Sequence, residues 1–529
     1  MEPTTLPREP AKTSRSWWLI LIFAAVVLLR LPLLGIPFER DEGEYAYIAW
    51  RMGHHEAPYR DWVNQKPPAV FCAYRVALAL PMNPVSAVHL VAALFAAGSA
   101  CAMVLIARKF LPDFWAAMAG LLLGVLSADP AVQGNAANTE VFMVLPMLLA
   151  QVLFFSAQSR RTFRWMILCG ALSGLAALFK QVAAVNWFAL ALLWPVFDRE
   201  PGRWRRAIQF AALAAAGAAL VWGLVLIWFW CLHGLGDFVY NVLTHNLAYI
   251  QSVPWRYRPL NFWRTIDQLQ GSELTVWLLG AAGIMALAWR RRFDWLFFVL
   301  TTGVAEAIGV SASGYYFPHY FQQWLPALAL CAAAGAGGLD QARLATLIPH
   351  WIRRPVLLLI LAAPLAVALY PFLFVYTPEQ ASYRIYPDNR FPAMVDVAHR
   401  LAEITRPEDR VYLYAAEPEI LFHAQRVSAT RYIILYPLFG NYRDAHERQT
   451  AAAEEITRAH PAAAFYFPVT LFFVPGDPFF NEWTSNYFRN DFVPDSWLTV
   501  DSSGETKVVA GERPTDGVRA ILYSRKEKR

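Results

Sequence analysis

The strongest constraint on this chain is a succession of apolar blocks, each roughly 17–25 residues long, separated by short polar links. Wound as α-helix at about 1.5 Å per residue, a block of that length spans the ~30 Å hydrocarbon core of a bilayer. Composition agrees. Of 529 residues, 57% are hydrophobic and 16% charged, whereas soluble chains carry about a quarter charged residues. The chain reads as a polytopic α-helical membrane protein. Candidate spans fall near residues 17–36, 85–107, 113–128, 138–157, 163–179, 181–197, 206–232, 272–289, 294–311, 319–338 and 355–376, about eleven or more crossings.

Charge gives the orientation. With the short segment 67–80 in the interface, one side receives Arg8, Lys12, Arg15, Arg108, Lys109, Arg160, Arg161, Arg164, Arg199, Arg203, Arg205, Arg206, Arg290 to Arg292, Arg343, Arg353 and Arg354. The opposite short loops, 129–137 and 312–318, contain no Lys or Arg. The positive-inside rule then puts the N-terminus in the cytoplasm, with the run from Trp17 read as a retained signal anchor. The protein is expected in the plasma (inner) membrane. Although the net charge is +6, the basic residues sit in membrane links rather than in one patch, so no nucleic-acid partner is expected. All five cysteines lie in apolar segments without a CxxC pair, as small hydrophobes do.

This divides the chain into a transmembrane part, 1–376, and an extracytoplasmic soluble α/β domain, 377–529. In the latter, charges return and strand-like runs (Arg410–Tyr414, Ala463–Pro468, Ala520–Tyr523) alternate with helix-like stretches at Ala393–Ile404 and Asp444–Ala459. The outer face displays loops 37–84, 129–139 and 233–271 as well as this tail.

Asp41-Glu42-Gly43-Glu44 opens the first outer loop. One reading is a capping box with Asp41 as N-cap and Glu44 three positions on. The other is a carboxylate at the membrane surface acting as general base, or holding a divalent cation at Asp41. Lys66-Pro67-Pro68 follows in the same loop. The prolines suit a helix start and the lysine could snorkel to headgroups. It could equally neutralise a phosphate leaving group.

Glu140, in Asn138-Thr139-Glu140, and Asp129 suit helix starts but face the same side. Lys180 is the lone base at an outer junction, a candidate for snorkelling or for phosphate. Tyr316 and His319, in an aromatic run from Tyr315 to Tyr320, read as an interfacial belt or as sugar contacts. Arg256 and Arg258, among aromatics in loop 233–271, are headgroup anchors or a bidentate grip on phosphate. Glu417-Pro418-Glu419 reads as a strand-to-helix cap. No P-loop, dinucleotide fingerprint, HExxH or GxSxG motif occurs.

Asp41-Glu42-x-x-Tyr45-Ala46 and Lys66-Pro67-Pro68, with Asn138-Thr139-Glu140, Lys180-Gln181, Tyr316-x-x-His319-Tyr320 and Glu417-Pro418-Glu419, resemble the GT-C membrane glycosyltransferases. The likeness is to the group of lipid A aminoarabinose transferases and dolichyl-phosphate-mannose protein mannosyltransferases. The resemblance implies sugar transfer, with inversion, from a polyprenyl-phosphate donor to an envelope lipid, glycan or protein outside the cytoplasm. It makes Asp41 the essential acid with Glu42 beside it, Lys66 the phosphate ligand, and Tyr45 a lining residue. Arg258, Arg256 and Lys180 become further phosphate candidates, and Glu140, Tyr316 and His319 substrate contacts. It implies no certain cofactor, with a divalent metal as a candidate. The gap between the acidic and Lys-Pro-Pro motifs is shorter than in aminoarabinose transferases, so the resemblance carries the activity class rather than lipid A as acceptor. The competing class is a transporter or flippase of lipid-linked sugars, which would bind near the bilayer midplane between repeats; no internal repeat is visible.

The charge split makes a direct prediction. A reporter fused after Arg529 should be active only outside the cytoplasm, and one in the link 198–206 only inside, as measured with paired enzymatic reporters.

Overall fold

The computed structural model describes residues 17–342, 347–439, 442–468, 477–501 and 504–526; Arg8, Lys12, Arg15 and Arg343 lie outside them. Among the described residues the helices are α1 (Trp17–Arg30), α2 (Arg40–Met52), α3 (Ala69–Ala77), α4 (Pro84–Ala107), α5 (Asp113–Leu126), α6 (Thr139–Arg160), α7 (Phe163–Phe179), α8 (Val185–Phe197), α9 (Arg203–Cys231), α10 (Leu235–Val239), α11 (His245–Ile250), α12 (Arg258–Trp289), α13 (Phe293–Ser311), α14 (Leu325–Asp340), α15 (His350–Phe374), α16 (Pro378–Ile385), α17 (Phe391–Glu403), α18 (Glu419–Ala424), α19 (Ala445–Ala459) and α20 (Phe479–Asp491). By length and composition, six of these segments are able to cross a membrane, the one containing α12 running from Trp255; five shorter apolar ones accompany them.

Helix α6 lies inside the bundle with most of its residues buried. Helix α9, by contrast, exposes Ile208, Leu220, Leu224, Ile227 and Trp230, the apolar face a lipid-contacting helix requires. Small residues let helices approach backbone to backbone, as in membrane packing generally. A Cβ on Gly283 of α12 would run into the Cys331 carbonyl of α14, and one on Gly170 of α7 into the Ala214 carbonyl of α9.

The structure bears on two expected segments, and the second of them is corrected. The segment 67–80 contains only the nine-residue α3, about 14 Å long and too short to cross. Helix α12 begins at Arg258, not near 272. Pro259 occupies its first turn, where the missing N–H costs nothing. The polar turns that follow keep a buried stripe at Thr265, Leu269, Ser272 and Val276, so the helix outlasts its apolar stretch.

Toward the C-terminus, strands β1 (Arg410–Tyr414), β2 (Val427–Ser428), β3 (Ala463–Tyr466), β4 (Phe492–Val500), β5 (Thr506–Ala510) and β6 (Val518–Arg525) form one sheet in the order β2-β1-β3-β6-β4-β5. The pairs β2/β1 and β1/β3 are parallel; the rest are antiparallel. Strands β4 and β5 have no clear signal in the sequence, because Pro494 and Asp495 near the start of β4 break its alternation, and β5 is largely exposed.

Helix α2 joins the bundle to this sheet layer. The Tyr47 hydroxyl accepts from the Ser428 N–H at 3.0 Å, and the Val63 N–H donates to the Arg431 carbonyl at 3.0 Å. Phe38 packs on Phe422 of α18 at 5.7 Å between ring centroids. At the tightest point, a Cβ on Gly43 would lie 2.5 Å from the Glu419 Cβ and 2.6 Å from its backbone N. Gly43→Ala should therefore destabilise the protein by about 1–3 kcal/mol, as overpacking does, read as earlier thermal unfolding in detergent.

Candidate active site

A cavity of about 1450 Å³ opens where α2, the segment 63–66, the 240–254 stretch, the 315–320 turn and the sheet layer meet. Its wall combines Asp41, Glu44 and Lys66 with Tyr240, Tyr249, Tyr315, Tyr320, Tyr436 and Tyr442.

The local folding of α2 decides which acids face it. The capping box is Glu39 with Glu42, not Asp41 with Glu44: the Glu39 carboxylate accepts from the Glu42 N–H at 3.3 Å, and Glu42 Oε2 accepts from the Glu39 N–H at 3.1 Å. Asp41 is thereby released from capping. Glu42, expected beside Asp41 as a catalytic acid, is instead turned into the helix bundle, away from the cavity wall. It is fully buried, its Oε1 accepting from the Ala137 N–H at 2.6 Å and lying 2.7 Å from His89 Nε2. Successive helical residues are about 100° apart, so anchoring Glu42 into the bundle turns Asp41 and Glu44 toward the cavity.

The lysine is held as firmly. Asn64 Oδ1 accepts the Lys66 N–H at 2.7 Å, and the Tyr59 hydroxyl donates to the Lys66 carbonyl at 2.7 Å. The Gln65 carbonyl accepts from Asn246 at 2.7 Å and from Gln181 at 3.3 Å. With its backbone fixed, Lys66 Nζ reaches 3.4 Å from Asp41 Oδ2, which also accepts from the Tyr45 hydroxyl at 3.2 Å.

Burial penalises every charge here, and the partners decide the outcome. Burial opposes the Asp41 carboxylate, but Lys66 and the Tyr45 hydroxyl outweigh it and hold the group below its ordinary value. Burial likewise opposes the Lys66 ammonium, but Asp41 and Glu140 hold its pKa above the usual lysine range. Glu44 goes the other way: burial and then the neighbouring Asp41 push it up to about 8. His319, also on the wall, places its Nδ1 2.7 Å from Gln133 Oε1.

Several sequence candidates are not brought to the cavity wall. Glu140 and Lys180 form a buried ion pair with each other, and the Lys180 ammonium lies 3.6 Å from the Tyr320 ring centroid. Tyr45 is wholly buried against Phe71 and Tyr74, reaching the site only through Asp41. Tyr316, at φ +54°, packs its ring on Phe262 while its carbonyl accepts from Thr265; its neighbour Tyr315 lines the cavity instead. The Arg258 guanidinium is spent on the Ile250 and Val253 carbonyls and the Trp255 ring, and the exposed Arg256 lies over Tyr257. Glu417 does not cap α18 but pairs with Arg40 at 2.9 Å. The arginines on the wall are Arg40 and Arg443. Neither carries a motif, and only folding brings Arg443, some four hundred residues away in sequence, to this wall.

A divalent metal at Asp41 does not fit. An ammonium already neutralises that carboxylate, and among the described residues no group of three His, Cys, Asp or Glu converges.

Residues 65–228 match the model of the dolichyl-phosphate-mannose-protein mannosyltransferase family. No curated protein sequence matches the chain. Its structure is similar to ArnT from Cupriavidus metallidurans bound to undecaprenyl phosphate, with a TM-score of 0.61 and 16% identity over 96% of this chain and 98% of that one. It is also similar to the apo oligosaccharyltransferase of Archaeoglobus fulgidus, with a TM-score of 0.51 and 13% identity over 94% of this chain and 75% of that one. The fold is that of the GT-C glycosyltransferases. The family match begins just before Lys66 and includes Glu140 and Lys180, but not Asp41.

The two acids at the start of α2 should respond oppositely to removal. Glu42→Ala leaves His89 and the Ala137 N–H without their buried acceptor and should cost about 3–5 kcal/mol, measured by unfolding in detergent. Asp41→Asn, facing the cavity, should leave stability within about 1 kcal/mol of the parent.

Proposed function

We propose that this protein is a membrane glycosyltransferase that moves a sugar from a polyprenyl-phosphate donor to an acceptor at the extracytoplasmic face. The observation carrying this reading is the pairing of Asp41 with Lys66 in one large, aromatic-walled cavity at an end of the helix bundle. The match to a dolichyl-phosphate-mannose-protein mannosyltransferase family and the likeness to an ArnT bound to undecaprenyl phosphate support the donor class.

The chemistry follows from the charges. As the acceptor oxygen approaches the anomeric carbon, the ionised Asp41 takes its proton as general base. Negative charge gathers on the departing lipid phosphate, and the fixed Lys66 ammonium in the same cavity offsets it. A single displacement of this kind inverts the anomeric centre. Tyrosine faces suit a sugar ring, and their bulk keeps water from competing as acceptor. The reading includes a multi-pass protein of the inner membrane with about eleven or more crossings, a cytoplasmic N-terminus, and residues 377–529 as an extracytoplasmic soluble α/β domain. The acceptor is an envelope lipid, glycan or protein.

Two outcomes test it. Purified protein should turn over a polyprenyl-phosphate sugar and not a soluble nucleotide sugar, as followed by radiolabel release. Asp41→Asn, which keeps size and hydrogen bonding, should lower the rate at saturating donor by roughly 10²–10⁴-fold. A rate close to the parent's would remove Asp41 from the chemical step.

A further inference from the structure

The end of the helix bundle opposite the cavity carries three arginines that the transfer reaction does not use. Helix α12 starts at Arg258, whose side chain packs on Gly314 beside the cavity-lining Tyr315. It ends thirty-two residues on, at Trp289, about 47 Å away along the helix axis. That length is comparable with the roughly 40–45 Å thickness of a bilayer with its headgroups. The turn after α12 therefore lies at headgroup level.

This turn reads Arg290-Arg291-Arg292 between Trp289 and Phe293. Trp289 is 90% exposed and Phe293 52%, as aromatic side chains are where they sit among headgroups. The Arg292 N–H donates to the Leu287 carbonyl at 2.9 Å, and Arg291 stands at φ +54°. Glycine is the residue that favours this left-handed helix ending, so an arginine there keeps its charge at the cost of some strain.

The turn brings Arg290 and Arg292 to one groove, closed by Pro112 of the α4–α5 link and by Gly337, Gly338 and Gln341 at the end of α14. Its volume is about 70 Å³, a little over the liquid volume of about two waters, so it takes a phosphate rather than a sugar. Arg290 donates to Gln341 Oε1 at 2.8 Å and to the Gly338 carbonyl at 3.3 Å. Both partners are neutral, so the guanidinium is fixed but its charge is not cancelled. Arg292 lies 3.4 Å from Asp294 Oδ1. Other arginines at this end are matched, Arg206 with Asp198 and both Arg353 and Arg354 with Asp340. Among the described residues, no carboxylate pairs with Arg290 or Arg291.

We propose that this groove binds the headgroup of an anionic phospholipid. Its phosphodiester lies between Arg290 and Arg292, with Arg291 adding charge beside it. The acyl chains run along the exposed Leu278, Met285 and Phe297 of α12 and α13. Charge complementarity selects this occupant. Basic residues next to a membrane span attract anionic lipids, and guanidinium forks match phosphate oxygens. The exposed apolar neighbours give the site to a lipid rather than to a soluble phosphate. The proposal stands apart from the transferase reading, since it concerns the other end of the bundle.

The purified full chain in uncharged detergent is titrated with phosphatidylglycerol or phosphatidylcholine, and bound lipid is counted by native mass spectrometry. Phosphatidylglycerol should fill one saturable site about tenfold or more tightly than phosphatidylcholine. Arg290→Gln with Arg292→Gln should weaken that binding about thirtyfold, and Arg291→Gln alone about fivefold. The same double charge change at the exposed Arg199 and Arg205, around the α8–α9 link, should stay within about twofold. Equal binding of the two lipids, or equal loss from the groove pair and the link pair, would overturn the site. If the groove pair fails to fold, the exposed Arg291 decides: an unchanged affinity in Arg291→Gln also overturns it.

Discussion

The arrangement of the site depends on the buried Glu42 carboxylate. Its two oxygens are satisfied by the Glu39 and Ala137 N–H groups and by His89, in a setting where an unsatisfied carboxylate would be costly. Because a helix is rigid about its axis, fixing one residue fixes its neighbours. Asp41 and Glu44 turn to the cavity, Gly43 faces Glu419, Tyr47 reaches Ser428 and Arg40 meets Glu417. One anchoring interaction thus orients the cavity-lining face and the docking face of the same thirteen-residue helix.

The site also illustrates how burial sorts identical groups. Three carboxyls in four residues meet three environments. Asp41 is kept ionised by Lys66, Glu42 is consumed by hydrogen bonds, and Glu44 is kept protonated by burial beside a negative neighbour. Behind the wall, the Glu140–Lys180 pair adds a second layer of alternating charge: Glu140 helps to hold Lys66 cationic while Lys180 balances Glu140. Isolated charges so near a bilayer would be expensive, and their alternation offsets that cost.

Motif reading pointed to segments that the fold brings to the cavity, and sometimes to side chains that it turns away. Asp41 and Lys66 were legible because charged residues just beyond an apolar span have few structural uses. Arg256 and Arg258 looked equally suitable, yet local carbonyls and aromatic rings occupy them. The Tyr316 signal was displaced by one residue, because a left-handed backbone at that position turns its ring away and leaves Tyr315 on the wall. Arg443 gave no signal.

What the amino-acid sequence determined by itself is what depends on local spacing and hydropathy: apolar helices, charged links, the strand at Arg410–Tyr414 and the two first-loop motifs. The tertiary structure alone decided the capping register of α2, the long polar start of α12, the pairing of Glu140 with Lys180, and the presence of Glu417, Tyr436, Tyr442 and Arg443 on the cavity wall. The physical reason is that hydropathy records how a residue partitions between lipid and water. Which partner a buried charge finds depends on chain segments hundreds of residues apart, and no local pattern encodes that distance.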